Sequence, residues 1–214
     1  MKVAASVLAG DFARLGEEVE RAARSGADLI HIDVMDGVFV RNITMGPGIV
    51  KAIRPYASVL FDVHLMINEP ARYIDDFAGA GADIITFHAE AEGDILTAIN
   101  AVKSTGKRVG VVINPATSVD ELIKFLPIID LAVVMTVEPG FGGQPFMPEM
   151  MRKVAVLQGE IQRRALRTQI EVDGGINKET AKMAAQSGAD ICVAGTSIFK
   201  SEDMKRAIAE IKGV

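Results

Sequence analysis

The sequence lacks tryptophan, has a single cysteine, and contains neither a long apolar run nor a cluster of basic residues. The lone Cys192 cannot form an internal disulfide, which favours a reducing compartment. No apolar stretch approaches the roughly 18 residues that would span a bilayer. The apolar N-terminal run ends at Gly10, too early for a secretory signal peptide. We therefore expect a cytoplasmic protein with no membrane partner.

Acidic residues outnumber basic ones by 28 to 23, which gives a formal net charge of -5. Without a basic run, this balance disfavours a nucleic-acid partner. The remaining composition, 49% hydrophobic and 24% charged over 214 residues, is that of an ordinary globular protein. We find no linker or composition shift, so we expect a single domain over residues 1–214.

A short theme recurs three times and sets the expected architecture. Ser-Gly-Ala-Asp or Ala-Gly-Ala-Asp ends at Asp28, Asp83 and Asp190, and each copy precedes an apolar run rich in β-branched residues. The glycine suits the end of a helix that turns into a strand. The aspartates lie 55 and 107 residues apart, which indicates a unit of about 27 residues or a multiple of it. That length holds one strand, one helix and two short loops.

Eight units of this length fill the chain, so we expect a compact (β/α)8 TIM barrel with parallel strands. The predicted strands lie near residues 3–8, 29–33, 59–64, 84–88, 108–113, 131–136, 169–173 and 191–194. Apolar residues at helical spacing, such as Phe12, Leu15, Val19 and Ala22, predict helices between them. A doubly wound open sheet shares this alternation, but eight even units without a G-x-G-x-x-G motif favour the barrel.

Polar residues gather at the predicted carboxyl ends of the strands, where barrels of this type carry their chemistry. His31 and Asp33 are two residues apart and share one face of a strand, while His64 and Asp173 end two other strands. Two imidazoles and two carboxylates can bind a divalent metal, with Zn²⁺ favoured. The alternative is that each is a hydrogen-bonded polar residue at a strand end. We interpret His88 in that structural way, because no partner for it is evident.

Glycine-rich loops follow the sixth, seventh and eighth predicted strands and suggest a phosphate site, since glycine lets backbone N–H groups approach an anion. Ordinary tight turns are the alternative. Three methionines lie at or just past strand ends and could cap the site: Met35, Met66 and Met135.

Four segments of the chain resemble motifs of the ribulose-phosphate 3-epimerase family. They are residues 31–44 (HIDVMDGVFVRNIT), 62–66 (DVHLM), 137–144 (VEPGFGGQ) and 171–175 (EVDGG). The resemblance extends from Ser6 to the turn at Gly195 and Thr196. It implies a ribulose-phosphate-binding barrel that epimerises C3 of a ketose phosphate through an enediolate, with a proton carrier on each face of the substrate.

The resemblance also implies roles for individual residues. His31, Asp33, His64 and Asp173 would bind one divalent metal, usually zinc, with Fe²⁺, Mn²⁺ or Co²⁺ as alternatives. Asp33 and Asp173 would be the acid/base pair. A homo-oligomer is expected as well. The residues implied to contact the substrate are Ser6, Met35, His64, Met66, Met135, Gly140, Phe141, Gly142, Gly143, Gly174, Gly175, Gly195 and Thr196.

Some positions depart from the family pattern and keep alternatives open. Val38 and Arg41 replace a frequent His and a frequent Pro in the loop after the second strand, which leaves a hexulose-phosphate 3-epimerase, acting on D-allulose 6-phosphate, as the first alternative. A decarboxylating or condensing barrel needs a lysine where Met35 stands. A non-catalytic sugar-phosphate-binding barrel should have lost a ligand, and none is missing.

Overall fold

A computed structural model describes all residues from 1 to 214, and its eight strands close into one parallel barrel in sequence order. β1 pairs with both β2 and β8, so no strand is left at an edge. The expected (β/α)8 fold is thus confirmed. The strands are β1 (Lys2–Ser6), β2 (Leu29–Met35), β3 (Leu60–Met66), β4 (Ile84–His88), β5 (Arg108–Ile113), β6 (Leu131–Met135), β7 (Gln169–Asp173) and β8 (Ile191–Ala194).

Helices cover the outside of the barrel and alternate with the strands. Short 3₁₀ turns extend several of them, and two of these turns begin at Pro70 and Pro148, because proline suits the first turn of a helix. No helix combines the length and apolar character needed to span a bilayer. The helices are α1 (Leu15–Arg24), α2 (Pro47–Ile53), α3 (Ile74–Ala80), α4 (Ile95–Ser104), α5 (Asp120–Ile123), α6 (Met151–Arg163), α7 (Lys178–Ser187), α8 (Thr196–Phe199) and α9 (Met204–Lys212).

The recurring aspartates tie neighbouring strands together at the amino end of the barrel. Each donates its backbone N–H to a residue at the start of the preceding strand and accepts that residue's N–H on its carboxylate. Because each motif precedes an even-numbered strand, the sequence repeat spans two βα units. A fourth aspartate without the glycine motif does the same. The pairs are Asp28–Val3, Asp83–Phe61, Asp130–Val109 and Asp190–Ile170.

Two apolar layers hold the fold together. The larger cluster fills the space between strands and helices, and a smaller one fills the barrel interior. Interior apolar residues such as Ala4 and Leu29 precede polar ones, Ser6 and His31, by two positions on the same strand. Since side chains of a strand alternate between faces, residues two apart point into the barrel together. The polar residues therefore form a layer nearer the carboxyl ends of the strands than the apolar layer.

The helical stripe after β1 needs one correction. Leu15, Val19 and Ala22 are buried as expected, but Phe12 is 48% exposed. The chain forms a 3₁₀ turn over Phe12–Arg14, capped by the Asp11 carboxylate, before α1 begins. The change in helix type rotates Phe12 off the buried face.

Candidate active site

A cavity of about 330 Å³ opens at the carboxyl ends of the strands. Nearly every residue that the sequence predicts to contact a substrate lines this cavity. His31 and His64 lie beneath it and are fully buried. The predicted residues that line the cavity are Ser6, Asp33, Met35, Met66, Met135, Gly140, Phe141, Gly142, Gly143, Asp173, Gly174, Gly175, Gly195 and Thr196.

The four predicted metal ligands converge at the floor of this cavity. Oδ1 of Asp33 lies 3.3 Å from Nε2 of His31 and 3.5 Å from Nδ1 of His64. Oδ2 of Asp173 lies 3.6 and 3.4 Å from the same two nitrogens. The β2–β3 register places Asp33 directly beside His64, while β7 brings Asp173 from a wall that is not adjacent. The ligand atoms of the four side chains all lie within 4.8 Å of one another.

The donor set fits a divalent cation. Nε2 of His31 and Nδ1 of His64 are buried without a hydrogen-bond partner, and both face the two carboxylates. Buried polar atoms are rarely left without a partner. Two imidazole nitrogens and two carboxylate oxygens form a ligand set that suits zinc.

The charges at this site also favour a cation. Burial opposes ionisation of Asp33, but contact with His31 outweighs it and holds the pKa of Asp33 far below its usual range. Burial alone would lower the pKa of His31. The negative charges of Asp33 and Asp62 outweigh burial, so the pKa of His31 lies well above its usual value. Protons on the imidazoles and a metal ion would neutralise the same carboxylates, so the two compete.

Two carboxyl groups that are not among the predicted site residues lie one layer deeper. Oδ2 of Asp62 lies 2.7 Å from Nδ1 of His31, so the other ring nitrogen, Nε2, is the one that faces the site. Glu171 is fully buried, and neither of its oxygens has a hydrogen-bond partner. Burial, reinforced by Asp62, raises the pKa of Glu171 well above its usual value. Strand alternation could have indicated both, since each precedes a predicted ligand by two residues on the same strand.

His88 has partners that the sequence did not reveal. Its Nε2 lies 2.8 Å from Nε2 of His64, and its Nδ1 lies 3.3 Å from Oε2 of Glu90. Burial lowers the pKa of His88 to about 4. Burial works against ionisation of Glu90, but His88 and Thr117 lower its pKa to about 2. His88 is therefore a buried polar residue at a strand end that contacts a predicted ligand.

Ser6 and the glycine loops shape the rest of the cavity. Oγ of Ser6 donates a hydrogen bond of 2.6 Å to Oδ2 of Asp33 and therefore orients that carboxylate. At Gly175, with φ of +66°, a Cβ would lie 2.7 Å from Cα of Phe146, so only glycine fits the turn. The glycine-rich loops also bring Gln144, Asn177 and Ser197 to the cavity wall, and these three are not among the predicted site residues.

A closed (β/α)8 barrel with such a cavity and buried His/Asp cluster at the strand ends defines a class of protein, the barrel enzymes whose chemistry lies at that face. The sequence profile of the ribulose-phosphate 3 epimerase family matches residues 2–199. A ribulose-phosphate 3-epimerase of Bacillus subtilis is 48% identical, covering 100% of this chain and 99% of its own. One of Synechocystis is 46% identical, covering 98% and 92%. The chain belongs to the ribulose-phosphate 3-epimerase family and is an epimerase, an enzyme of the isomerase class.

Similarity in structure extends to other barrels. The crystal structure of 3-hexulose-6-phosphate synthase from Salmonella typhimurium has a TM-score of 0.72 at 21% identity, covering 100% of this chain and 97% of that one. At this identity the similarity concerns the fold alone. Membership in the epimerase family sets aside the decarboxylating or condensing barrel and the non-catalytic barrel.

Proposed function

We propose that this enzyme interconverts D-ribulose 5-phosphate and D-xylulose 5-phosphate by removing the C3 proton and returning one to the opposite face. The observation that carries the proposal is the placement of Asp33 and Asp173. Both carboxyl groups line the cavity, and they stand on β2 and β7, which are not neighbours in the barrel. Inversion at one carbon needs a proton carrier on each side of the substrate, and two separate walls supply them.

Asp33 and Asp173 act in alternation in this mechanism. One carboxylate takes the C3 proton while the other, already protonated, delivers a proton to the opposite face, and their roles are exchanged in the reverse direction. Each such acid/base step contributes roughly 10²–10⁴-fold in rate. The Ser6 hydroxyl holds Oδ2 of Asp33, which fixes the direction from which that carboxylate approaches the substrate.

His31, Asp33, His64 and Asp173 would hold one divalent cation, with Zn²⁺ favoured by the imidazoles and Fe²⁺, Mn²⁺ or Co²⁺ as alternatives. When bound, the ion would serve as a Lewis acid that offsets the negative charge developing on the substrate oxygens. Its two carboxylate ligands are also the proposed proton carriers, so their titrations are coupled.

The remaining cavity residues bind and enclose the substrate. Backbone N–H groups of the loops would hold the phosphate, since glycine permits close approach to an anion. Met35, Met66 and Met135 are buried at the cavity wall and keep water from the reacting carbon. Phe141 lies in the same wall and is 58% exposed, so it can cover a bound ligand. The loop residues are Gly140, Gly142, Gly143, Gly174, Gly175, Gly195 and Thr196.

The cavity does not favour the hexulose-phosphate alternative. Val38 and Arg41, the two departures that suggested it, are exposed and do not line the cavity. The test is kcat/KM for ribulose 5-phosphate and allulose 6-phosphate, measured side by side before and after chelation. We expect a preference for the pentose that chelation abolishes and zinc restores. A preference for the hexose would overturn the proposed substrate, and activity that survives full metal removal would overturn the metal.

A further inference from the structure

We propose that Glu90, acting through His88, is a positioning residue that sets the tautomer of His64 and so presents the Nδ1 lone pair of His64 to the metal site. The inference rests on the proposed metal-dependent function. It concerns residues outside the four candidate ligands, and Glu90 and His88 do not line the cavity.

The three side chains form a continuous line from the loop after β4 to the site. Oε2 of Glu90 lies 3.3 Å from Nδ1 of His88, an ion-pair contact, and that buried nitrogen has no hydrogen-bond partner. Nε2 of His88 lies 2.8 Å from Nε2 of His64, and the two rings are stacked with planes 18° apart. Nδ1 of His64 then faces Asp33 and Asp173 at 3.5 and 3.4 Å.

Proton placement along this line has two alternatives. Between two neutral ring nitrogens 2.8 Å apart, one carries a hydrogen and the other supplies a lone pair. The carboxylate of Glu90 favours a hydrogen on Nδ1 of His88, so Nε2 of His88 is the acceptor. His64 therefore donates from Nε2 and keeps Nδ1 bare. With the opposite arrangement Nδ1 of His64 would carry a hydrogen and could not bind a cation.

Glu90 is itself held in place by its surroundings. Its Oε1 accepts hydrogen bonds from the backbone N–H of Asn114, at 2.8 Å, and from the hydroxyl of Thr117. Nζ of Lys153 donates to the carbonyl oxygens of Pro115 and Thr117 and fixes the same loop. Only the second oxygen of Glu90, Oε2, is left to face His88, so its direction is determined.

His31, the other candidate histidine ligand, is also oriented by a carboxylate, but without an intervening side chain. Asp62 contacts Nδ1 of His31 directly, at 2.7 Å, and Nε2 of His31 faces the site without a hydrogen-bond partner. Carboxylates that orient histidine ligands in this way typically change metal affinity by about 10–100-fold when removed. His64 differs in receiving this orientation through a second imidazole.

Glu90→Gln tests the proposal most sharply. The amide keeps an oxygen for Asn114 and Thr117 but turns an NH₂ group toward His88, which favours the opposite proton arrangement. Glu92→Gln, the same change at an exposed position of the same loop, is the matched control. The chain has three histidines, so ¹⁵N NMR of the metal-free protein, at a pH where His64 is neutral, resolves each tautomer.

We expect Glu90→Gln to move the proton of His64 from Nε2 to Nδ1 and to raise the Kd for Zn²⁺ by about 10–100-fold, with Glu92→Gln unchanged in both. Unchanged tautomers, with or without weaker zinc binding, would overturn the proposal, because a role in loop packing predicts that result. So would a flipped tautomer with zinc affinity equal to wild type.

A second variant tests the proposal if Glu90→Gln does not fold. His88→Leu removes the acceptor of His64, so we expect both Nε2-H and Nδ1-H forms of His64 and weaker zinc binding. A single Nε2-H form in this variant would overturn the proposal. If the wild type binds no zinc, the metal in the proposed function fails, while the tautomer measurement still decides the role of Glu90.

Discussion

Replacing Glu171 with glutamine should stabilise the metal-free enzyme, and the gain should grow with pH. Glu171 is fully buried with both oxygens lacking a partner, and its neighbour Asp62 has an orphaned oxygen as well. Because burial and Asp62 raise its pKa well above 4.5, the folded protein retains a proton that the unfolded chain releases. Stability therefore falls as pH rises from about 4.5 toward the folded-state pKa.

The size of the effect follows from this proton. Within that window the wild type loses about 1.4 kcal/mol of unfolding free energy per pH unit through this one group. The glutamine side chain of the variant stays neutral, and its NH₂ group can donate a hydrogen bond to Asp62. The variant therefore does not lose this unfolding free energy as the pH rises. Denaturant unfolding across the neutral and mildly acidic range, with chelator present because a bound metal would add its own stability, measures the difference.

Glu17→Gln is the control for this prediction, since the Glu17 side chain is 68% exposed and its substitution should leave the pH profile unchanged. A Glu171→Gln variant whose stability runs parallel to wild type across that range would refute the reasoning, as would a variant that is less stable than wild type at its alkaline end.

Two further predictions address the site and the barrel. Asp62→Asn removes the carboxylate from Nδ1 of His31, so the Kd for Zn²⁺, measured by chelator competition, should rise about 10–100-fold; unchanged affinity would show that Asp62 does not orient its neighbour. Asp130→Ala leaves the N–H of Val109 without its 2.9 Å acceptor, so the unfolding free energy should fall by about 1–3 kcal/mol. Asp75→Ala, at an exposed position, is its control. An equal loss of unfolding free energy in both variants would contradict this account of the repeat.

The candidate metal site could be predicted because it depends on short-range rules. His31 and Asp33 share a face by strand alternation, and all carboxyl ends of a parallel barrel meet at one mouth. The family resemblance then supplied the roles that spacing alone left open.

The supporting residues could not be predicted because they depend on contacts between neighbouring strands and loops. His88 reaches His64 only through the β3–β4 register, which pairs His64 with Thr86. Glu90 is held by Asn114 and Thr117, which lie beyond β5. The sequence showed the repeated aspartates but not that their carboxylates bind the preceding strand. The homo-oligomer and the cytoplasmic location stay predictions.

The central claim is that Asp33 and Asp173 carry protons on opposite faces of the substrate. The most direct measurement is ¹H NMR of ribulose 5-phosphate turnover in D₂O by the zinc-loaded enzyme. Two separate carriers predict xylulose 5-phosphate with deuterium at C3 from the first turnovers, and no product from Asp173→Asn. Product that keeps its original C3 hydrogen, or an Asp173→Asn variant that retains most of its rate, would contradict the account.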